Sequence, residues 1–176
     1  MILYLEGGNH LRPPVAQFIR RATGPIDLKI QPCGSGDNAI EECAKDGDGL
    51  LLIDSEGEDL QQLTQRVASQ IGAANRAFFM VQKMEAWFMA DRNALRNHFG
   101  AGFRESALPP NRNVEEVSIQ DIDNALRNAT RDCAKQRYRK GRDDAGLLNR
   151  LNPATVYNAC PNFALLINHL RDQRAR

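Results

Sequence analysis

The stretch Leu50-Leu51-Leu52-Ile53-Asp54-Ser55-Glu56-Gly57 joins four apolar residues to a short acidic turn. An apolar run of this length is typical of a central parallel strand that is buried on both faces. Segments 2–5, 26–30 and 77–81, which are apolar or alternate apolar with polar residues, predict three further strands. The acidic turn marks the carboxyl end of the third strand.

Segments with apolar residues at helical spacing separate these strands. The predicted helices lie at 13–23, 37–45 (with Asp37 as N-cap), 60–71 and 84–99. Alternation of this kind predicts an α/β fold, a Rossmann-like parallel sheet of about four strands flanked by helices. We expect residues 1–100 to form this core and residues 101–176 to form a C-terminal helical extension packed on it.

Composition and charge limit the function. The 176 residues suffice for one domain with a buried core, and the net charge of +1 predicts no general affinity for nucleic acid. No apolar run reaches the roughly 18–20 residues of a membrane helix, and the N-terminus lacks the basic start of a signal peptide. We therefore expect a cytoplasmic protein without a membrane partner. The four cysteines lack C-x-x-C spacing, which favours free thiols over a zinc site.

Acidic residues follow three of the predicted strands. Glu6 follows the first, and Asp54 and Glu56 follow the third. Glu85 lies in the first turn of the helix after the fourth. Because ligands of an open parallel sheet bind at the carboxyl ends of its strands, these carboxylates predict a Mg²⁺ or Mn²⁺ site, with Glu6 as third ligand or general base. The simpler alternative is that they cap helix N-termini.

A basic segment lies between residues 131 and 142, where six Lys or Arg side chains accompany one acid. Such a cluster can hold a nucleic-acid backbone, and its one aromatic side chain can stack on a base. The candidate nucleic-acid contacts are Lys135, Arg137, Tyr138, Arg139, Lys140 and Arg142. The alternative is a solvated loop or helix face.

Several short sequence motifs along the chain, taken together, point to a known protein family. They include Leu5-Glu6-Gly7, the segment 51–56, Met84-Glu85-Ala86-Trp87-Phe88 and Tyr138-Arg139-Lys140-Gly141. Together they resemble the bacterial domain-of-unknown-function 4276 family over nearly the whole chain. That family looks like the Toprim superfamily, which includes topoisomerases, primases and OLD-type nucleases.

The resemblance implies a Toprim-like sheet and a set of catalytic acids. It implies Glu6 as general acid/base or ligand, and Asp54 and Glu56 as metal ligands. It suggests Glu85 as a further catalytic acid. It also implies association with a neighbouring ATPase, a role in defence against phage, and, by analogy with other Toprim nucleases, an oligomer. Two positions depart from the Toprim pattern: Glu56 replaces an Asp, and His10 stands where related chains carry a second acid.

The leading hypothesis is a Mg²⁺-dependent, Toprim-like nuclease, motivated by the acidic strand edge together with the basic segment. The missing second acid motivates an alternative, a non-catalytic subunit that binds an ATPase partner. A third reading is phosphoryl transfer on a small molecule, which the absence of a G-x-x-x-x-G-K-[ST] motif disfavours.

Overall fold

A computed structural model describes residues 1–110, 113–135 and 137–174. Its strands are β1 (Ile2–Leu5), β2 (Lys29–Pro32), β3 (Leu50–Asp54) and β4 (Ala77–Met80). They form one four-stranded sheet in the order β2-β1-β3-β4, and every pairing is parallel. Helices flank the sheet, so the predicted α/β fold with about four parallel strands is confirmed.

The helices are numbered in chain order. They are α1 (Arg12–Thr23), α2 (Gly36–Lys45), α3 (Leu60–Ile71), α4 (Glu85–Ala90), α5 (Arg92–Phe99), α6 (Ile119–Ala129), α7 (Asp144–Arg150), α8 (Pro153–Ala159) and α9 (Pro161–Arg174). Short 3₁₀ turns lie at Asn9–Leu11, Ala74–Arg76, Glu105–Ala107 and Val114–Glu116. None of the helices in the described ranges combines the length and the apolar character that crossing a bilayer requires.

Local capping explains where α2 and α3 begin and end. Ser35, not the predicted Asp37, caps α2, because its hydroxyl accepts a hydrogen bond from the Asn38 amide. Asp59 caps α3 in the same way, and Gly72 ends it with a left-handed φ of 84°. Both helices start on the side of the sheet where the strands end.

Two element boundaries differ from the prediction. The second strand covers 29–32 rather than 26–30, because β1 begins at Ile2 and Ile2 pairs with Lys29. The single helix predicted over 84–99 is two helices, α4 and α5, that meet at Asp91. The Asp91 side chain accepts hydrogen bonds from the amides of Ala94 and Asn152, which holds its backbone in a non-helical conformation.

The two faces of the sheet bury separate apolar cores. Alternation along β3 directs Leu50 and Leu52 to the larger core, and Leu51 and Ile53 to the smaller one. The smaller core lies under α2 and α3, whereas the larger one is covered by α1 and by helices from α4 to α9. All residues of β3 are buried, as expected for a central strand.

The larger core contains residues from both ranges that the sequence assigned to a core and an extension. Phe163 of α9 stacks on Phe18 of α1 with ring centroids 5.1 Å apart, and it meets Trp87 of α4 edge-on at 5.0 Å. All three side chains are buried. The boundary near residue 100 stays a prediction, but the C-terminal helices share their packing with the sheet.

We expect Phe163→Ala to lower the free energy of unfolding by about 3–5 kcal/mol, because it removes a buried aromatic ring and leaves a cavity. Urea denaturation followed by circular dichroism measures the change. The control is Leu165→Ala on the same helix, where the side chain is 60% exposed and the cost should stay below about 0.5 kcal/mol. Equal effects of the two substitutions would contradict the packing described here.

Candidate functional site

Glu6 and Asp54 lie side by side at the carboxyl edge of the sheet. β1 and β3 are neighbours, and Leu5, the last residue of β1, pairs with Leu52, so Glu6 follows beside the last residues of β3. The amide of Glu6 donates to the Leu52 carbonyl at 3.0 Å. The amide of Asp54 donates to Oε2 of Glu6 at 2.9 Å. The Glu6 side chain is thereby fixed against the end of β3.

Glu56 completes a cluster of three carboxylates. One carboxylate oxygen from each of Glu6, Asp54 and Glu56 lies within 4.8 Å of the other two. Asp54 is buried, Glu6 is half-buried and Glu56 is exposed. The structure therefore brings together the three residues that the sequence predicted as metal ligands.

The loops after β3 and β4 are joined in an unusual conformation. Glu56 and Gln82 have backbone φ angles of 50° and 63°, which residues other than glycine rarely adopt. The Glu56 amide donates to the Gln82 carbonyl at 2.9 Å, and the Gln82 amide donates to the Ser55 hydroxyl at 2.7 Å. Backbone strain of this kind concentrates at functional sites. The sequence pattern places Gln82 at the junction of the fourth strand and its helix but does not predict this backbone conformation.

Burial sets the protonation of Asp54. Loss of solvent, together with the negative charges of Glu6 and Glu85, raises its pKa to about 7, against the opposing effects of Lys140 and of a hydrogen bond from the Met84 amide (2.9 Å). Burial also raises the pKa of Glu6, to which the nearby charge of Glu56 adds. A positive ion at the cluster would favour the charged form of both groups.

Helix α2 approaches Glu6 at a glycine. A Cβ atom at Gly36 would lie 3.1 Å from Oε2 of Glu6, so a larger residue there would crowd the carboxylate. Glu6, Gly36, Asp54 and Glu56 border a cleft of about 330 Å³ that also reaches Arg66 of α3. A ligand can reach the three carboxylates through this cleft.

Lys140 reaches the same edge from the C-terminal part of the chain. Its Nζ lies 3.8 Å from Oδ2 of Asp54 and 4.0 Å from Oε1 of Glu85. Burial acts to lower the pKa of Lys140, but the negative charges of Glu85, Asp54 and their acidic neighbours outweigh it and raise the pKa. The ammonium group therefore stays charged at neutral pH.

Glu85 is fully enclosed and lies behind the cluster. Tyr138 Oη lies 3.0 Å from Oε1 of Glu85 and 2.8 Å from Oδ1 of Asp144. The other Glu85 oxygen, Oε2, is buried without a hydrogen-bond partner among the described residues. Burial and these two carboxylates raise the pKa of Tyr138. The sequence did not single out Asp144, and its only signal was its place soon after the motif Tyr138-Arg139-Lys140-Gly141.

The predicted nucleic-acid contacts divide into two groups. Tyr138 is half-buried with its ring edge-on to Phe88, and the Lys140 ammonium faces the acidic edge. Lys135, Arg137 and Arg139 are exposed, and Arg142 is paired with Asp143. Gln136, in the middle of this basic segment, lies outside the described residues. Contact of any of these side chains with nucleic acid stays a prediction.

Comparison with known proteins returns one family. A family model described as a domain of unknown function (DUF4276) matches residues 16–171. The match includes Asp54, Glu56, Glu85 and Lys140 but begins after Glu6. Neither the curated proteins nor the solved structures contain a significant match to the chain.

We expect Tyr138→Phe to lower the free energy of unfolding by about 1–3 kcal/mol, because two buried carboxylates lose the hydroxyl that they share. Tyr157→Phe is the control, since the Tyr157 hydroxyl bonds to Asn168 in an exposed position. Its cost should be within about 0.5 kcal/mol. Urea denaturation of both variants measures the change in the free energy of unfolding. A negligible effect of Tyr138→Phe would show that the hydroxyl does not stabilise this cluster.

We expect Asp54→Asn to stabilise the metal-free protein increasingly as the pH rises. The pKa of Asp54 is higher in the folded chain (about 7) than its ordinary value of 3.8, so its favourable contribution is complete below about pH 4 and is lost as the pH rises through 7. Asn removes this loss, which approaches roughly 4 kcal/mol at most. Thermal melts in a chelator between pH 4 and 8 measure it, and a gain that does not depend on pH would contradict the assignment.

Proposed function

Since the chain belongs to the domain-of-unknown-function 4276 family, whose description leaves the activity open, we propose from the chemistry of the site that it is a Toprim-like, Mg²⁺-dependent nuclease. The observation that carries the proposal is the cluster of Glu6, Asp54 and Glu56 at the carboxyl edge of a parallel sheet. The relation to Toprim proteins and to phage defence remains part of the proposal.

The donor set fits a hard divalent cation. Three carboxylates with oxygens within 4.8 Å of one another repel each other unless a positive charge lies among them. Oxygen ligands of this kind suit Mg²⁺ or Mn²⁺, which usually keep several waters and bind substrate phosphates. Glu6, Asp54 and Glu56 would hold the ion. When bound, such an ion activates water and neutralises charge that develops on a phosphate.

The protein's own residues supply orientation and proton transfer. The Asp54 amide orients the Glu6 carboxylate, which in its charged form would hold the ion or, as general base, accept a proton from an attacking water. The Met84 amide donates a hydrogen bond to Oδ1 of Asp54. The other oxygen, Oδ2, faces the Lys140 ammonium group at 3.8 Å. The strained turn at Glu56 brings its carboxylate back to the cluster.

Nucleic acid is the substrate class that we propose. The overall charge of +1 gives no general attraction for a polyanion, so binding must come from a local cluster. Lys135, Arg137 and Arg139 are exposed in the segment that also carries Lys140 to the acidic edge. A backbone held by those three side chains would therefore lie close to the carboxylates.

We expect Glu6→Gln and Asp54→Asn each to reduce Mg²⁺-dependent cleavage of single- and double-stranded DNA and RNA by about 100-fold or more, since a metal contributes several kcal/mol to charge stabilisation. Mg²⁺ binding by calorimetry should weaken in parallel. Glu58→Gln is the matched control. Glu58 borders the same cleft but pairs with Arg66 at 2.8 Å and lies outside the cluster.

Two results would reject the proposal. One is cleavage by Glu6→Gln and Asp54→Asn at the rate of the Glu58→Gln control. The other is a wild-type protein that neither binds Mg²⁺ nor cleaves any of the four substrates, which would favour the non-catalytic subunit instead. Circular dichroism of each variant separates loss of activity from loss of fold.

A further inference from the structure

Lys140 already brings a positive charge to the proposed metal centre. Its Nζ lies 3.8 Å from Oδ2 of Asp54 and 4.0 Å from Oε1 of Glu85. The Asp54 and Glu85 side chains are only 5% and 1% exposed, whereas that of Lys140 is 60% exposed. An ammonium group on a solvent-facing stem thus serves as counter-ion for two buried carboxylates.

The backbone around Lys140 is fixed in place. The amide of Arg139, before it, donates to Oδ2 of Asp143, and the amide of Gly141, after it, donates to Oδ2 of Asp144, at 2.8 and 2.7 Å. Gly141 has a φ of 84°, which a glycine adopts without strain. Because both neighbours are anchored, the chain directs Lys140 toward the acidic edge.

A divalent cation at the cluster would share Asp54 with this ammonium group. Two charges on the ion and one on Lys140 repel each other, and across a shared carboxylate this repulsion weakens binding roughly tenfold even at the dielectric constant of water. If Lys140 moves away instead, Asp54 loses its ion pair and Glu85 keeps only that with Lys83. Either response makes loading of the ion less favourable.

We infer that Lys140 is a built-in counter-cation that competes with a divalent ion for Asp54 and so sets the ion concentration at which the site loads. This inference rests on the proposed function. Lys83 also pairs with Glu85, at 3.9 Å, but its ammonium is held by Asp123 at 2.8 Å, and the ion pair with Asp54 in the described ranges belongs to Lys140.

The test compares three variants of the full-length chain. Lys140→Met removes the charge and keeps a long side chain, while Lys140→Arg keeps the charge. Lys135→Met is the matched control, because it removes one positive charge from the same segment. In the described ranges Lys135 takes part in no ion pair. Calorimetry with Mg²⁺ alone measures loading, and thermal melts in a chelator measure the counter-ion role.

Lys140→Met should bind Mg²⁺ about tenfold more tightly than wild type, whereas Lys140→Arg and Lys135→Met should stay within about twofold of it. In a chelator, Lys140→Met should melt at a lower temperature than Lys135→Met, because buried Asp54 loses its ion pair and buried Glu85 loses one of its two. Mg²⁺ should raise its melting temperature by more than that of wild type.

The outcomes separate this inference from the proposed function. Wild-type binding of Mg²⁺ that Lys140→Met leaves unchanged or weakens would overturn the inference alone. A lack of Mg²⁺ binding in every variant would overturn both. Tighter binding in Lys140→Met and Lys135→Met alike would also overturn the inference, since it would reflect net charge rather than the position of Lys140.

Discussion

Parallel pairing of β1 with β3 brings the residue after β1 beside the last residues of β3, and the arrangement of the site follows from this pairing. Leu5 lies opposite Leu52, so Glu6 and Asp54 leave the sheet together and are joined through the Asp54 amide. Pairing of β3 with β4 sets Asp54 opposite Met80, which brings the Met84 amide and Glu85 to the same edge. The chemistry thus depends on register in the centre of the sheet.

Burying several carboxylates close together costs free energy. Backbone amides that donate hydrogen bonds to these carboxylates offset part of that cost. Asp54 accepts an amide hydrogen bond from Met84, Glu6 accepts one from Asp54, and Asp144 accepts one from Gly141. These donors are backbone amides, so they are supplied by the fold itself. The remaining negative charge attracts positive groups, and the chain itself supplies two of them: Lys140, which pairs with Asp54 and Glu85, and Lys83, which pairs with Glu85.

The sequence predicted the features that depend on local pattern. The apolar run at 50–53 identified the central strand, and topology then placed Glu6, Asp54 and Glu56 at one edge. It missed features that depend on distant contacts. The break at Asp91 depends on the Asn152 amide, and the burial of Tyr138 depends on Glu85, 53 residues away. Neither partner can be identified from spacing, because the periodicity of a segment does not show which distant part of the chain packs against it.

The basic segment shows how one stretch of sequence can serve two environments. Tyr138 and Lys140 meet buried carboxylates, while the alternate residues Arg137 and Arg139 are exposed. Summing the charge of the whole segment therefore overestimates what is presented to a polyanion, since part of it is already committed to the acidic edge. The same geometry ties any ligand of the exposed residues to the carboxylates, because both are carried by adjacent positions of one anchored chain.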